Sequence, residues 1–387
     1  MDGDCSEMKG IFEASLAIAH GVRLSRPQVI PMYPITPQTH IVERLADMIN
    51  DGDLDAEMIH VESEHSACSA LIGSVAAGSR SFTATASQGL AYMYEILPII
   101  SGLRLPTVMA VANRSLSAPL NIWNDHADAV SARDQGWIQL WAESSQEALD
   151  SVIQAFKISE DKNVHLPVMV NLDGFTLSHV WEPVDIPEQK EVDKFLPKFK
   201  FDYVLDPNKP VSIGNVATPD TFMEFREQQE KAMQDSRAVV KKVNDEYKKA
   251  FGRGYGDGLL ELYKMKDAEF AVMGMGTLCG TARVAIDNLR KNGVKAGLIK
   301  LRCLRPFPSE ELVKVTKNLK GLSILDRHIS AGFEGPLYTD AKSSLYGKNE
   351  LQINNYIAGL GGRDITTGHI EKAIIDLTKG RAGGWLK

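Results

Sequence analysis

Residues 59–89, IHVESEHSACSALIGSVAAGSRSFTATASQG, constrain this chain more than any other stretch. A short apolar strand over 58–61 hands over to a helix over 63–78 made almost wholly of Ala, Ser, Gly, Leu, Ile and Val, and a second β-rich run covers 81–86. Ser87-Gln88-Gly89 then turns the chain into the next helix. Open α/β sheets bind ligands at the carboxyl ends of their strands, and Glu62 and Glu64 fall at such a strand end. A helix so poor in polar groups is expected to be buried on nearly every side. An acid in its first turn is then either a solvated partner of the helix dipole or a buried acid with work to do, and the residues alone leave both readings open.

Strand–helix alternation runs on both sides of this stretch. A helix over 8–24 precedes a strand over 28–33, which ends in Tyr33-Pro34-Ile35-Thr36-Pro37 before a helix over 38–49. Two prolines around Thr36 stiffen the loop enough to hold one hydroxyl at a fixed point, although Pro37 also suits the first position of an ordinary helix. A helix over 88–100 and a strand over 106–113 lead to Arg114, whose planar fork suits a carboxylate at the same sheet edge as Thr36 and Glu64. The loop Asn121-Ile122-Trp123-Asn124-Asp125-His126-Ala127-Asp128 follows; it reads as a substrate or metal loop or as plain turn chemistry, and Asp125 or Asp128 as ion-pair partners for Arg114. Arg133 begins a helical turn, and a strand over 138–141, a helix over 146–159 and a strand over 166–172 continue the alternation.

Between 181 and 214 the pattern breaks into irregular chain. A long helix is then expected from Thr218 as N-cap and Pro219 at the first position, with Phe222, Phe225, Met233, Val240, Val243 and Tyr247 as its apolar stripe. Residues 252–258 read as a flexible joint. Alternation restarts with strands over 269–273, 295–301, 323–326 and 352–357, and helices over 277–291, 309–318, 335–346 and 367–379. The fold class expected is therefore α/β, with two doubly wound, mainly parallel sheet domains at 1–251, including a helical excursion over 182–251, and at 259–387.

The 387 residues allow two or three domains, and the net charge of −7 argues against nucleic acid as a partner. No apolar run approaches the ~18 residues of a membrane span, and an acidic start, MDGDCSEMKG, is unlike a signal peptide, so a cytoplasmic chain without a membrane partner is expected. Cys5, Cys68, Cys279 and Cys303 are scattered, so no iron–sulfur or zinc site and no metal ligand set is expected in this polypeptide. Two motifs imitate known sites. Gly256-Asp257-Gly258, with Asn288 downstream, lacks the apolar strand that a magnesium–diphosphate motif requires before it. Gly274-Met275-Gly276 has Cys279 at the third glycine position and no acid after the next strand, which leaves a nicotinamide- or flavin-binding module as a weak alternative.

Several stretches together resemble one family. They are Tyr33-Pro34-Ile35-Thr36-Pro37, Glu62-Ser63-Glu64-His65-Ser66, Thr83-Ala84-Thr85-Ala86-Ser87-Gln88-Gly89, Asn113-Arg114, Asn124-Asp125-His126-Ala127-Asp128, Leu304-Arg305-Pro306-Phe307-Pro308, Leu325-Asp326-Arg327 and Gly335-Pro336-Leu337. In this order they are similar to the alpha subunits of the multi-subunit pyruvate:ferredoxin oxidoreductases (pyruvate synthases), among the thiamine-dependent 2-oxoacid:ferredoxin oxidoreductases. The resemblance covers nearly the whole chain. One departure from the family pattern is His65-Ser66, where related enzymes carry Ala-Gly.

The resemblance implies a first domain like the pyrimidine-binding domain of thiamine diphosphate enzymes and a second like a transketolase carboxy-terminal domain. It implies that Glu64 hydrogen-bonds the cofactor's aminopyrimidine nitrogen and shares a proton with it. Thr36 would touch substrate and cofactor, with Pro34, Ile35, Gln88 and Gly89 around the cofactor; Arg114 would hold the substrate carboxylate, with Asn124 and Asp125 nearby. Thiamine diphosphate would be shared with a beta subunit that binds its Mg2+, and 4Fe–4S clusters would sit in other subunits, so beta, gamma and delta chains, ferredoxin, a small 2-oxoacid and coenzyme A are the implied partners and co-substrates. The implied reaction is reversible oxidative decarboxylation of pyruvate with coenzyme A to acetyl-CoA, CO2 and reduced ferredoxin. Enzymes for oxalate, 2-oxoisovalerate or aryl 2-oxoacids are the nearest alternatives. The small hydroxyl of Thr36 leans towards pyruvate, because an oxalate site would favour a second cation. A non-catalytic assembly subunit is disfavoured by Thr36, Glu64 and Arg114 sharing one expected sheet edge.

Overall fold

The computed structural model describes residues 8–387, which leaves Cys5 outside. The chain opens with strand β1 (Met8–Glu13), helix α1 (Ala14–Ser25), β2 (Val29–Met32), α2 (Thr39–Asn50) and β3 (Glu57–His60). Helix α3 (Glu64–Ala76) leads to β4 (Phe82–Thr85), the short helices α4 (Ser87–Tyr92) and α5 (Leu97–Gly102), and β5 (Val108–Asn113). Helix α6 (Ala127–Ser131), β6 (Ile138–Trp141), α7 (Ser145–Ser159) and β7 (Val168–Asp173) complete the first run. Strands β6, β7, β5 and β4 lie side by side and parallel, and a bridge from Val29 to Ser81 continues the parallel pair β2–β3 beyond β4. All these strands therefore end at one edge.

The chain continues through β8 (Trp181–Ile186), α8 (Gln189–Phe195), the long helix α9 (Phe222–Phe251) and β9 (Leu260–Tyr263). A second alternation follows: β10 (Phe270–Gly274), α10 (Leu278–Lys291), β11 (Ala296–Leu301), β12 (Cys303–Arg305), α11 (Ser309–Thr316), β13 (Gly321–Asp326), α12 (Pro336–Leu345), β14 (Gln352–Ile357), α13 (Thr367–Thr378) and β15 (Gly384–Trp385). Its sheet runs β15-β14-β13-β10-β11-β9, parallel except for β9. The α/β class with two parallel-dominated sheets is as expected. One continuous core nevertheless joins them, from Ala67 and Leu71 through Met109 and Val111 to Met273, Ile299 and Ile324.

Several elements differ from the sequence reading. Residues 8–13 are a strand, because β1 pairs antiparallel with β8 along its whole length, Met8 opposite Ile186 and Glu13 opposite Trp181. The same pairing, with α8, orders part of the segment read as irregular. The expected helix over 88–100 is two helices, with Pro98 in the first turn of the second. A helical turn was expected from Arg133, but α6 has already ended at Ser131. Helix α9 starts after Thr221 rather than Thr218, and only Met233, Val240, Val243 and Tyr247 of its stripe are buried; Phe222 and Phe225 stand about half exposed. Helix α3 buries one face, through Glu64, Ala67, Cys68, Leu71 and Val75, while His65, Ser69, Ala70 and Ile72 are only half-buried.

The expected joint over 252–258 is a pinned turn. Asp257 Oδ1 accepts from the Leu259 and Leu260 amides at 2.9 and 2.8 Å, and Arg253 and Tyr255 both bond the buried Asp150. Strands β9, β12 and β15 had no sequence signal strong enough to be read. Strand β12 crosses over to pair with β6, so the second half adds an edge strand to the first sheet.

Charge also crosses between the halves. Lys300, at the end of β11, places its Nζ 2.6 Å from Glu147, 2.9 Å from Glu143 and 3.1 Å from Glu261. Burial opposes the Lys300 charge, but the three carboxylates outweigh it and raise its pKa. Arg302 bonds the other oxygen of Glu147 at 3.2 Å, beside Ser151 and Gln154. Removing the cation would leave Glu147, 1% exposed in its side chain, with Arg302 as its one remaining cation among the described residues. Lys300→Met should therefore cost about 3–5 kcal/mol of stability, read by denaturant unfolding. Pairing it with Glu147→Gln should recover part of that loss, and equal stability of Lys300→Met and the parent would show that the cluster contributes nothing.

Candidate active site

Four loops meet at the carboxyl edge of the first sheet. After β2 the chain runs through Pro34, Ile35 and Thr36 to a cis Thr36–Pro37 bond. The buried Gln38 fixes this loop: its Nε2 donates to Ala84 O at 2.8 Å, its Oε1 accepts from the Ile35 amide at 3.3 Å, and its own amide bonds Ile35 O. Pro34 and Thr36 stay exposed and Ile35 half-buried, so the Thr36 side chain stands on a fixed backbone open to solvent. Gln38 was not singled out in the sequence; it follows Pro37 as an ordinary helix-start residue, with no local sign that it reaches another strand.

Glu64 opens α3 directly after the cap Ser63, whose hydroxyl accepts from the Ser66 amide at 3.2 Å. Its side chain is 9% exposed, and among the described residues no group hydrogen-bonds its carboxylate. Glu62, by contrast, is exposed and bonded to the Ser66 hydroxyl. Gly89 packs against Glu64: a Cβ there would lie 2.8 Å from Glu64 Oε1 and 2.5 Å from Thr85 Oγ1. Only glycine lets α4 approach this closely. The Thr85 hydroxyl is buried without a partner. Among the described residues neither the Glu64 carboxyl nor the buried Thr85 hydroxyl has a partner, so together they offer an acceptor and a donor to an outside group.

Arg114 follows β5. It is 8% exposed, and its Nη1 donates to Thr36 O at 2.8 Å, joining two of the residues expected here. Burial lowers its pKa and nearby Asp128 opposes that shift. Neither aspartate is ion-paired with its guanidinium: Asp128 bonds the Arg114 amide at 3.0 Å, and Arg114 Nε is buried with no partner among the described residues. The ion-pair reading of Arg114 is thus corrected. Gln88 is half-buried at the turn beside Gly89.

Asn124 and Asp125 lie on the loop leading into α6. Asn124 is fully buried with both side-chain amide atoms unpartnered among the described residues, while its carbonyl accepts from the Gly362 amide at 2.6 Å. Asp125 accepts from Ala127 at 2.9 Å and faces Gly361, and burial pushes its pKa up to about 6. Beyond it, His126 bonds Asp173, which also accepts from Thr277 and Arg327 of the second half. Gly276, with φ +67, sits where a Cβ would come 2.8 Å from Asp173 Oδ1, so the false dinucleotide fingerprint is the glycine that lets α10 approach this carboxylate.

Among the described residues no group of three or more His, Cys, Asp or Glu side chains is placed to hold a metal ion. Asp257 of the false diphosphate motif is occupied by its own turn and by Lys241 at 3.1 Å. The thiols of Cys68, Cys279 and Cys303 are free and buried, and burial pushes those of Cys68 and Cys303 up to about 12. A cavity of about 680 Å3 lies at the opposite edge of the sheet, lined by Arg23, Arg26, Gln28 and Arg80. It touches none of Thr36, Glu64 or Arg114, and two of its cations are already paired, Arg26 with Asp193 and Arg80 with Glu160.

Comparison with known proteins settles the family. Residues 20–245 match the family described as pyruvate flavodoxin/ferredoxin oxidoreductase, thiamine diphosphate-binding, and 268–370 match pyruvate:ferredoxin oxidoreductase core domain II. This chain belongs to the pyruvate:ferredoxin oxidoreductase family. It is 50% identical to the pyruvate synthase subunit PorA of Methanothermobacter thermautotrophicus over 94% of each chain. The PorA subunit of Methanocaldococcus jannaschii is 49% identical, covering 95% of this chain and 96% of its own. The ketoisovalerate oxidoreductase subunit VorA of Pyrococcus abyssi is 44% identical, over 96% and 94%. In fold, the chain resembles a 2-oxoglutarate:ferredoxin oxidoreductase from Magnetococcus marinus, solved with 2-oxoglutarate, coenzyme A and succinyl-CoA. The TM-score is 0.73 at 17% identity, over 95% of this chain and 65% of that one. The family is one of oxidoreductases, and no helix among the described residues is long and apolar enough to cross a membrane.

The raised pKa of Asp125 fixes a pH dependence. Its folded pKa of about 6 exceeds the unfolded carboxylate value of ~3.9, so the folded state prefers the proton. The resulting stability is full below about pH 4 and is lost as pH rises to about 6, with a slope of at most ~1.4 kcal/mol per pH unit. Thermal unfolding of Asp125→Asn should lose this component, its curve flattening between pH 4 and 6 relative to the parent. Parallel curves would place an ordinary ionised aspartate at 125.

Proposed function

We propose that this chain is the alpha subunit of a thiamine diphosphate-dependent pyruvate:ferredoxin oxidoreductase, catalysing the reversible conversion of pyruvate, coenzyme A and oxidised ferredoxin to acetyl-CoA, CO2 and reduced ferredoxin. The observation that carries this is a buried, unpartnered Glu64 on the same sheet edge as Thr36 and Arg114, in a chain whose relatives are pyruvate synthase subunits. Glu64, Thr85 and Gly89 fit the aminopyrimidine end of the cofactor. Nothing among the described residues fits its diphosphate end, so a beta subunit would bind that end with Mg2+, and gamma and delta chains would complete the enzyme and carry its 4Fe–4S clusters. The half-open face of α3, with Tyr92 58% and Tyr94 44% exposed nearby, is consistent with a partner covering it.

Glu64 holds and returns one proton at a ring nitrogen. Arg114 receives the 2-oxoacid carboxylate, and its anchorage on Thr36 O aims its free donors. Thr36 offers a hydroxyl to the substrate carbonyl, and the unsatisfied amide of Asn124 offers a further donor and acceptor. Thiamine diphosphate, when bound, supplies the electron sink that accepts charge as CO2 departs. Pyruvate is favoured over 2-oxoisovalerate by the higher identity to PorA than to VorA chains, and comparing kcat/KM for the two acids on the purified complex tests that choice.

Two substitutions test the roles. Glu64→Gln keeps shape but cannot relay the proton, so C2 hydrogen exchange of thiamine diphosphate in the assembled enzyme should slow by orders of magnitude; exchange at the parent rate would refute the assignment. Arg114→Lys should preserve the melting temperature but lose ~2 kcal/mol of transition-state stabilisation, roughly thirtyfold in kcat/KM for pyruvate. Unchanged kcat/KM with a lowered melting temperature would make Arg114 purely structural.

A further inference from the structure

Asp128, in the first turn of α6, is 3% exposed and is surrounded by donors. Its Oδ2 accepts from the Ser87 amide at 2.9 Å and the Arg114 amide at 3.0 Å. Its Oδ1 accepts from Asn113 Nδ2 at 2.9 Å and the Ala129 amide at 2.7 Å. Ser87 is the second residue beyond β4 and Arg114 the first beyond β5, so one oxygen ties two neighbouring strand ends together. Ser87 holds a left-handed backbone, φ +47, which a serine adopts only when its surroundings enforce it. Here the enforcement is visible: its amide is held by Asp128, and its hydroxyl donates to Ser115 O at 2.6 Å. Two residues after Ser87 comes Gly89, packed on Glu64; on the other side of Asp128, Arg114 reaches over to Thr36.

We propose that Asp128 is a positioning residue that holds the turn beneath Glu64 and the backbone of Arg114 in one register, fixing the distance between the proton-handling acid and the carboxylate clamp. This rests on the roles given above to Glu64 and Arg114. No side chain other than a carboxylate satisfies the site. Burial raises the Asp128 pKa overall, although its four donors oppose the shift. Asn would keep the shape, yet its NH2 would have to face donors on one side or the other, the Ser87–Arg114 pair or the Asn113–Ala129 pair.

The test uses the assembled enzyme. Asp128→Asn should lower kcat/KM for pyruvate by about 100-fold, the scale expected from a misplacement of about 1 Å, with KM raised. Because it acts through Arg114, combining Asp128→Asn with Arg114→Lys should cost little more than the about 100-fold of Asp128→Asn alone, where independent sites would multiply to roughly 3,000-fold. Amide hydrogen exchange supplies a readout apart from activity: in the parent enzyme the Ser87 and Arg114 amides should be among the slowest of their loops, and Asp128→Asn should release both together. Multiplicative losses, or a variant with only a lowered melting temperature and unchanged KM, would overturn the proposal. If Asp128→Asn does not assemble, exchange in the parent decides, and unprotected Ser87 and Arg114 amides overturn it. A silent Arg114→Lys would instead remove the clamp role while leaving the exchange result to judge the tie.

Discussion

Asp173 holds the two halves of the molecule against each other. It ends β7, is fully buried, and accepts from His126 at 2.8 Å, from the Thr277 amide at 2.9 Å and from Arg327 at 2.6 Å, with the Thr277 hydroxyl as a further partner. Burial alone would push its pKa up; Arg327, His126 and Thr277 outweigh it and hold the carboxyl well below its ordinary range. A charge so buried is tolerated only while all its partners are present. Since Arg327 and Thr277 follow β13 and β10, the carboxyl edges of the two sheets are obliged to face each other here. The Arg327 carbonyl also accepts from the His126 amide at 2.9 Å, so the second sheet grips the loop bearing Asn124 and Asp125 at its far end. Gly361 and Gly362 grip its other end, through Asn121 and Asn124. The loop that shapes the first half's site is therefore set by the second half.

What the sequence disclosed was mainly local. A parallel strand buried on both faces reads as a continuous apolar run, and the residues after it stand at the functional edge, which is why Thr36, Glu64 and Arg114 could be named together. Ser63 and Glu64 carry their own signal as cap and first-turn acid. What stayed hidden depends on partners distant in sequence. Strand β1 has helical spacing and becomes a strand only because β8 lies beside it, and β12 is three residues whose pairing partner lies in the other half. Gln38, Thr85 and Asp128 were unreadable as site-builders for the same reason. A glutamine at a helix start or an aspartate in a polar loop has many uses, and only the fold reveals which amides it meets.

The misleading motifs follow from the same physics. A glycine is required wherever backbone must approach another group closely, whatever that group is. At Gly276 it is the Asp173 carboxylate, and at Gly256 it is the chain's own turn, where a Cβ would fall 2.0 Å from Leu260 O. Phosphate-binding loops need the same freedom for a different partner. Spacing of glycines reports close approach, and the identity of what is approached has to come from the residues around it.

Glu64 and Asp173 show two opposite treatments of a buried acid. Asp173 is surrounded until its charge is fully compensated, and the result is a rigid joint with no chemistry left in it. Glu64 is less completely buried, beside the unsatisfied hydroxyl of Thr85, and among the described residues it has no donor. Its acceptor capacity is left for a group that this chain does not supply among the described residues. Such a group persists where something outside the chain completes it, and the neighbouring helix face left half open lies in the same place. Asp128 and Gln38 brace the adjacent loops independently of Glu64. A site built this way is preorganised on three sides and unfinished on the fourth, the arrangement that an active site shared between two chains requires.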